Sequence, residues 1–193
     1  MSTLFGPVVQ QGYVVPDVEA GMQHWLARGV GPFVFVDIAD FPGLYDDQPI
    51  SAAMQAGFAY SGDQQIEVIM PSLDHPSIYR DFLEQMPAGG LQHLAFWVDD
   101  IDAKLAELDH KDVRYRVWQR YGAPPSYEAH AYLDLSDHPG TMVQLMARSD
   151  FYDHLFGLLK QAADDWDGQA DPIRVMDPSQ GGLVPRNPGS GAL

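Results

Sequence analysis

The chain has 193 residues, a formal charge of −16 at neutral pH, 46% hydrophobic and 11% aromatic content, and no cysteine. That excess of acid excludes the Lys/Arg-rich faces that nucleic acid and anionic membranes require, and it favours a neutral or weakly acidic small molecule as partner. No apolar run approaches the roughly 20 residues of a membrane span, and no targeting segment is legible at the N-terminus, so the sequence reads as cytoplasmic.

In chain order, residues 8–15 alternate as a strand. Asp17 then stands where a helix cap belongs, with Val18, Met22, Trp25 and Leu26 on one helical face. After the Gly29–Val30–Gly31–Pro32 turn comes a strand at 33–36, a polar loop at 37–49, and a hairpin of strands 51–60 and 65–70. A linker helix over 77–86 and the loop Pro87–Gly90 precede a second round: strand 91–98, then a helix capped at Asp99 or Asp100 with Ile101, Leu105 and Leu108 on its buried face. Strands at 112–120, 127–134 and 141–147 follow, with His138–Pro139–Gly140 as a turn. A helix then covers 149–166 with Phe151, Leu155, Leu158 and Leu159 in a stripe. Beyond residue 170 the chain is rich in Pro, Gly, Ser and Asn and reads as an irregular tail that is either disordered or lies over the domain.

The two rounds are copies of each other. Tyr13, Val15, Asp17, Val18, Ala20 and Met22 fall on Phe96, Val98, Asp100, Ile101, Ala103 and Leu105. Such self-similarity fixes the architecture before any single motif does. The expectation is an α+β fold of two βαβββ modules: residues 1–72, a linker at 73–90, residues 91–148, and a C-terminal extension at 149–193. Each copy opens on a polar residue at an equivalent place, Gln10 and His93.

Two tandem βαβββ modules opening with Val-Val-Pro-Asp-Val-Glu-Ala and His-Leu-Ala-Phe-Trp-Val-Asp-Asp-Ile-Asp-Ala resemble the vicinal oxygen chelate superfamily, which includes glyoxalase I, methylmalonyl-CoA epimerase, extradiol dioxygenases and bleomycin-resistance proteins. The resemblance covers about residues 6–148. It implies a cup-shaped mixed sheet in which four side chains from four strands meet at a divalent metal (Zn, Ni, Co, Mn or Fe). Matched one by one, those positions fall on Gln10, Glu67, His93 and Gln144. The order in glyoxalase I looks like Gln, Glu, His, Glu, so this chain departs at Gln144. Strand alternation puts each of the four on a face opposite apolar neighbours, aimed into the cup. Four polar groups there need a metal, mutual hydrogen bonds or water to satisfy them.

Several chemistries follow as expectations. The resemblance implies a metal-assisted isomerase or lyase acting through an enediolate-like intermediate on a small hydrophobic carbonyl or hydroxy compound. Glu67 would move the proton, with His130 as a second acid/base residue. No Asp or Glu occurs in residues 51–60, which removes the second carboxylate that an epimerase-like two-base mechanism needs. An extradiol dioxygenase would require His at Gln10. Met54, Phe58, Trp97, Tyr132, Met142 and Met146 would form an apolar or aromatic binding wall. Glutathione is disfavoured by the lack of an Arg/Lys cluster near the cup. A metal-free binding protein of the bleomycin-resistance type, or a metal-free enzyme using His130 or Glu67 alone, remain alternatives. A homodimer is a family-level expectation.

Overall fold

The computed structural model describes residues 4–135, 141–177, 179–180 and 182–186; the turn expected at His138–Gly140 lies outside them. Module one consists of β1 (Gln10–Val14), α1 (Val18–Leu26), β2 (Phe33–Tyr45), β3 (Gln48–Ser61) and β4 (Gln64–Pro71). Helix α2 (Ile78–Gln85) leads to module two, with β5 (Gly90–Val98), α3 (Ile101–His110), β6 (Arg116–Tyr121), β7 (His130–Asp134) and β8 (Met142–Ala147). After these come α4 (Asp150–Asp164), β9 (Ile173–Asp177) and β10 (Gly182–Pro185).

Local chemistry sets the helix starts. Asp17 and Asp100, equivalent in the two copies, are in extended backbone and accept hydrogen bonds from the amides of Ala20 at 2.9 Å and Ala103 at 2.6 Å. Ser77 and Ser149 cap α2 and α4 in the same way.

The strands run β10-β9-β2-β3-β4-β1-β5-β8-β7-β6, and β6 returns to pair with β2. The modules are joined by antiparallel β1–β5 pairing, while β1–β4 and β5–β8 are parallel. Closure depends on Gly43–Tyr45 pairing with Gln119–Tyr121. Gly43 makes that possible, because a Cβ there would lie 2.5 Å from the Arg120 carbonyl oxygen.

Alternation divides the core in three. One cluster packs α1 on the outside of module one, around Met22, Phe33 and Val68, and another packs α3 on module two, around Ile101, Leu108 and Leu133. The third lies inside the cup, where Val14, Ile69, Tyr121 and Tyr132 meet Ile78 and Tyr79 of α2. The linker helix is therefore part of the cup's core.

Two expectations need correction. The segment 37–49 is no loop: it forms the outer half of a long hairpin, with Asp46 and Asp47 turning at positive φ (48° and 60°). Its apolar residues are spaced to pack inward, and Phe41 stacks on Tyr121 with centroids 4.6 Å apart. The tail beyond 170 is also not irregular throughout. Ile173 and Val175 join the α1-side core, β9 pairs parallel to Phe33–Val34, and Arg186 lies 3.8 Å over the Phe35 ring while pairing with Glu19 at 2.8 Å. Two apolar residues in register with an open edge were enough.

Candidate active site

The cup encloses a cavity of about 300 Å³, at the small end of the roughly 300–1,000 Å³ range of small-molecule sites. Strands of both modules and the helices α2 and α4 contribute to its wall. Val34, Val36, Ile38 and Phe41 come from β2, and Met54, Ala56 and Phe58 from β3. Tyr79 enters from α2, Tyr121 from β6, His130 and Tyr132 from β7, and Gln144 and Met146 from β8. Helix α4 supplies Phe151, Tyr152, Leu155, Phe156 and Leu159. Gln10 and Glu67 are the polar contributions of β1 and β4.

His93 and Glu67 meet from β5 and β4, with His93 Nε2 3.2 Å from Glu67 Oε2. The two atoms are close but not aligned as a hydrogen bond, and each is buried without a hydrogen-bonding partner. The same holds for Gln10 Oε1 and Gln144 Oε1. In Gln10, Gln144 and His93 a second side-chain atom is held by a neighbour. Gln10 Nε2 donates to Gln65 Oε1 at 2.6 Å, and Gln144 Nε2 donates to the Tyr132 hydroxyl at 2.8 Å. His93 Nδ1 lies 2.7 Å from Gln92 Oε1. An amide oxygen only accepts, so Nδ1 carries a proton, and Nε2 is the ring atom that faces the Glu67 carboxylate.

Backbone irregularity explains how Gln92 and His93 are both buried although they are consecutive. In the β1–β5 ladder Gly12 pairs with His93 but Tyr13 with Leu91, so Gln92 is the extra residue of a β-bulge. Gly12 gives the imidazole its space: a Cβ there would fall 1.9–2.4 Å from three ring atoms.

Electrostatically the cavity is dominated by one charge. Burial raises Tyr79, Tyr121 and Tyr132 well above their usual 10, with the Glu67 carboxylate adding to the shift in all three. Burial, followed by Glu67, pushes Tyr152 up to about 12. All four phenols are protonated donors at neutral pH. Burial, followed by the neighbouring His93, lowers His130 to about 4, so its ring is neutral. His130 lines the cavity beside Gln144, 3.4 Å from Nε2, with its own Nε2 bare. A neutral imidazole with so low a pKa serves as a hydrogen-bonding group and only weakly as a base.

Of the residues expected in the binding wall, Met54, Phe58, Tyr132 and Met146 line the cavity. Trp97 and Met142 do not, and this corrects the sequence reading. Both share the inward side of their strands but lie beyond the cavity's ends: Trp97 packs on Phe156 of α4 with centroids 4.9 Å apart, under Arg148, and Met142 accepts from Gln92 Nε2 near α2. Sequence reasoning missed Gly12, Gln65, Gln92, Tyr79 and Tyr121. A glycine inside a strand and a second polar residue on the face of Glu67 were available as signals for Gly12 and Gln65. The bulge at Gln92 breaks the alternation that would have found it.

Among the described residues no group of three His, Asp or Glu side chains could hold an ion. The four bare atoms from four strands instead combine one carboxylate, one imidazole and two amide oxygens. That donor set fits a divalent first-row ion.

Paired βαβββ modules closed into a cup, with polar tips from four equivalent strands, define a class of protein. Residues 9–130 match the family model of the glyoxalase/bleomycin resistance protein/dioxygenase superfamily, and the chain belongs to that superfamily, the vicinal oxygen chelate proteins. Among solved structures it is similar to methylmalonyl-CoA epimerase from Mycobacterium tuberculosis, with 21% identity over 80% of this chain and 95% of that one, at a TM-score of 0.50. It is also similar to a hypothetical protein from Bacillus halodurans, with 16% identity over 75% and 95% of the two chains and a TM-score of 0.50. At these identities the likeness is one of fold. No curated protein matches the chain significantly. No helix among the described residues is long and apolar enough to cross a membrane.

Proposed function

We propose that the chain is a metal-assisted isomerase or lyase that moves a proton on a small hydrophobic carbonyl or hydroxy compound. The observation that carries this reading is a set of four buried atoms without hydrogen bonds, Gln10 Oε1, Glu67 Oε2, His93 Nε2 and Gln144 Oε1: Gln10, Glu67 and Gln144 line the one cavity, and His93 touches Glu67. Leaving a buried polar atom unpaired costs roughly 1–3 kcal/mol, so four together favour a resident that satisfies them. These four residues would hold a divalent ion, which when bound supplies Lewis-acid polarisation of a substrate oxygen.

The remaining work falls to the chain itself. Glu67 is the one carboxylate of the cavity wall. With Oε2 turned towards His93, its other oxygen is left to take a proton from substrate carbon and return it. Strand β3 offers Met54, Ala56 and Phe58 where a two-base mechanism would need another acid, which favours one-base chemistry. The apolar walls from β2, β3 and α4 exclude water and orient the substrate's hydrocarbon part.

Metal analysis of protein purified without chelator tests this reading. Wild type should carry the ion, while His93→Ala and Glu67→Gln should lose it. Undiminished content in His93→Ala would end the proposal. A second reading, a metal-free binding protein, is favoured by the neutral Gln144 and the apolar walls. It requires that binding of an apolar ligand be indifferent to chelator.

A further inference from the structure

Tyr121 is 1% exposed and lines the cavity, yet its hydroxyl has no hydrogen-bonding partner among the described residues. A buried phenol usually finds one. Its near neighbour is the side chain of Gln119, whose amide nitrogen also lacks an aligned partner. Gln119 Oε1 is committed to the Ile78 backbone amide at 2.9 Å, so this amide can offer Tyr121 only N–H. The phenol oxygen can accept from Gln119, and the phenol proton has no acceptor among the described residues.

Tyr132 reaches the same condition by another route. It is 2% exposed, and its oxygen accepts from Gln144 Nε2 at 2.8 Å and from the Tyr79 hydroxyl at 2.5 Å. Two accepted bonds occupy both lone pairs, which leaves the O–H to donate elsewhere. The two rings stand perpendicular on adjacent strands, centroids 6.1 Å apart, and both line the one cavity.

We infer that Tyr121 and Tyr132 are a pair of hydrogen-bond donors for the carbonyl oxygen of the substrate, which is a compact, apolar aldehyde or ketone. The inference rests on the reading of this cavity as the reaction site. Two donors side by side recognise an acceptor oxygen, and the apolar walls from β2, β3 and α4 suit a compact hydrocarbon frame around it. The pair also fits the chemistry. As a C–H proton passes to the Glu67 carboxylate, the C–H electron pair becomes the C=C bond of an enolate. Negative charge collects on the former carbonyl oxygen, where two phenol donors bind it more strongly than the starting ketone. Return of the proton to carbon restores the carbonyl.

Acetophenone and ethylbenzene, alike in shape but with and without the carbonyl, test the pair on the full chain as purified. Tyr121→Phe removes only a hydroxyl and leaves the ring stacked on Phe41. It should weaken acetophenone about five- to tenfold, as for the loss of one neutral hydrogen bond, and leave ethylbenzene unchanged. The infrared carbonyl band of bound acetophenone should lie at lower frequency in wild type than in Tyr121→Phe, and higher again in the variant that also carries Tyr132→Phe. An unmoved band, equal loss of both probes, or no binding of acetophenone to wild type would overturn the inference. Metal content of the same preparations is read separately. A Tyr121→Phe protein with wild-type ion and an unmoved band sinks the donor pair alone, whereas wild type without ion but with a shifted band sinks the metal reading alone.

Discussion

Replacing Gly12 by alanine would put a methyl carbon 1.9–2.4 Å from three atoms of the His93 imidazole, where non-bonded carbons need about 3.5–4.0 Å. The ring cannot step aside cheaply. It is fully buried, bonded to Gln92 through Nδ1 at 2.7 Å, and stands edge-on to Tyr132 with centroids 5.4 Å apart. Relief requires either a shift of the β1–β5 ladder or rotation of His93 off Gln92. Overpacking of this kind costs about 1–3 kcal/mol, and the lost hydrogen bond adds about 1 kcal/mol. The expected destabilisation is therefore about 2–4 kcal/mol, or on the order of 5–15 °C in Tm for a chain of this size. Urea denaturation should show a lower midpoint at unchanged slope, and divalent-ion binding should weaken with it. A Gly12→Ala protein with wild-type midpoint and wild-type ion affinity would refute the packing argument.

Gly157, in the exposed face of α4 with nothing within 4 Å of its missing Cβ, behaves oppositely: alanine there should raise stability by up to about 1 kcal/mol in the same denaturation assay. Asp17→Ala and Asp100→Ala should each cost about 1 kcal/mol, with asparagine at either position restoring most of it, because the lost interaction is the cap to Ala20 or Ala103. Hydrogen bonds from Lys104 and then Lys111 lower Glu107 from 4.5 to about 2. A depressed carboxylate stabilises the fold above its unfolded pKa and loses that contribution as pH falls from 4.5 towards 2, so Glu107→Gln should flatten the acid limb of a stability–pH curve over that window.

Much of this architecture was legible because two copies of one pattern constrain each other. Asp17 and Asp100 cap equivalent helices, and Gln10 and His93 open equivalent strands. The family resemblance pointed to Glu67 and Gln144 on the closing strand of each module, and strand alternation agreed with it. Features set by contacts across the cup were not legible. The β2–β3 extension exists because Gly43 lets it close on β6, and 37–49 read locally as polar. Tyr79 belonged to a segment that read as a connector, and only the closed sheet brings it to Tyr132. Trp97 and Met142 have the right side of their strands but the wrong height along them, a coordinate that periodicity does not encode. The bulge at Gln92 sets the imidazole's orientation and breaks the very alternation used to find strands.

Titration of the purified chain with Co(II), followed by its visible absorption and by bound metal per chain, bears most directly on the claim that the tips of Gln10, Glu67, His93 and Gln144 form one site. Saturation at a single equivalent, with the spectrum altered in Gln144→Leu and lost in His93→Ala, is the expected result. Absence of saturable binding, or a spectrum indifferent to both substitutions, would contradict it.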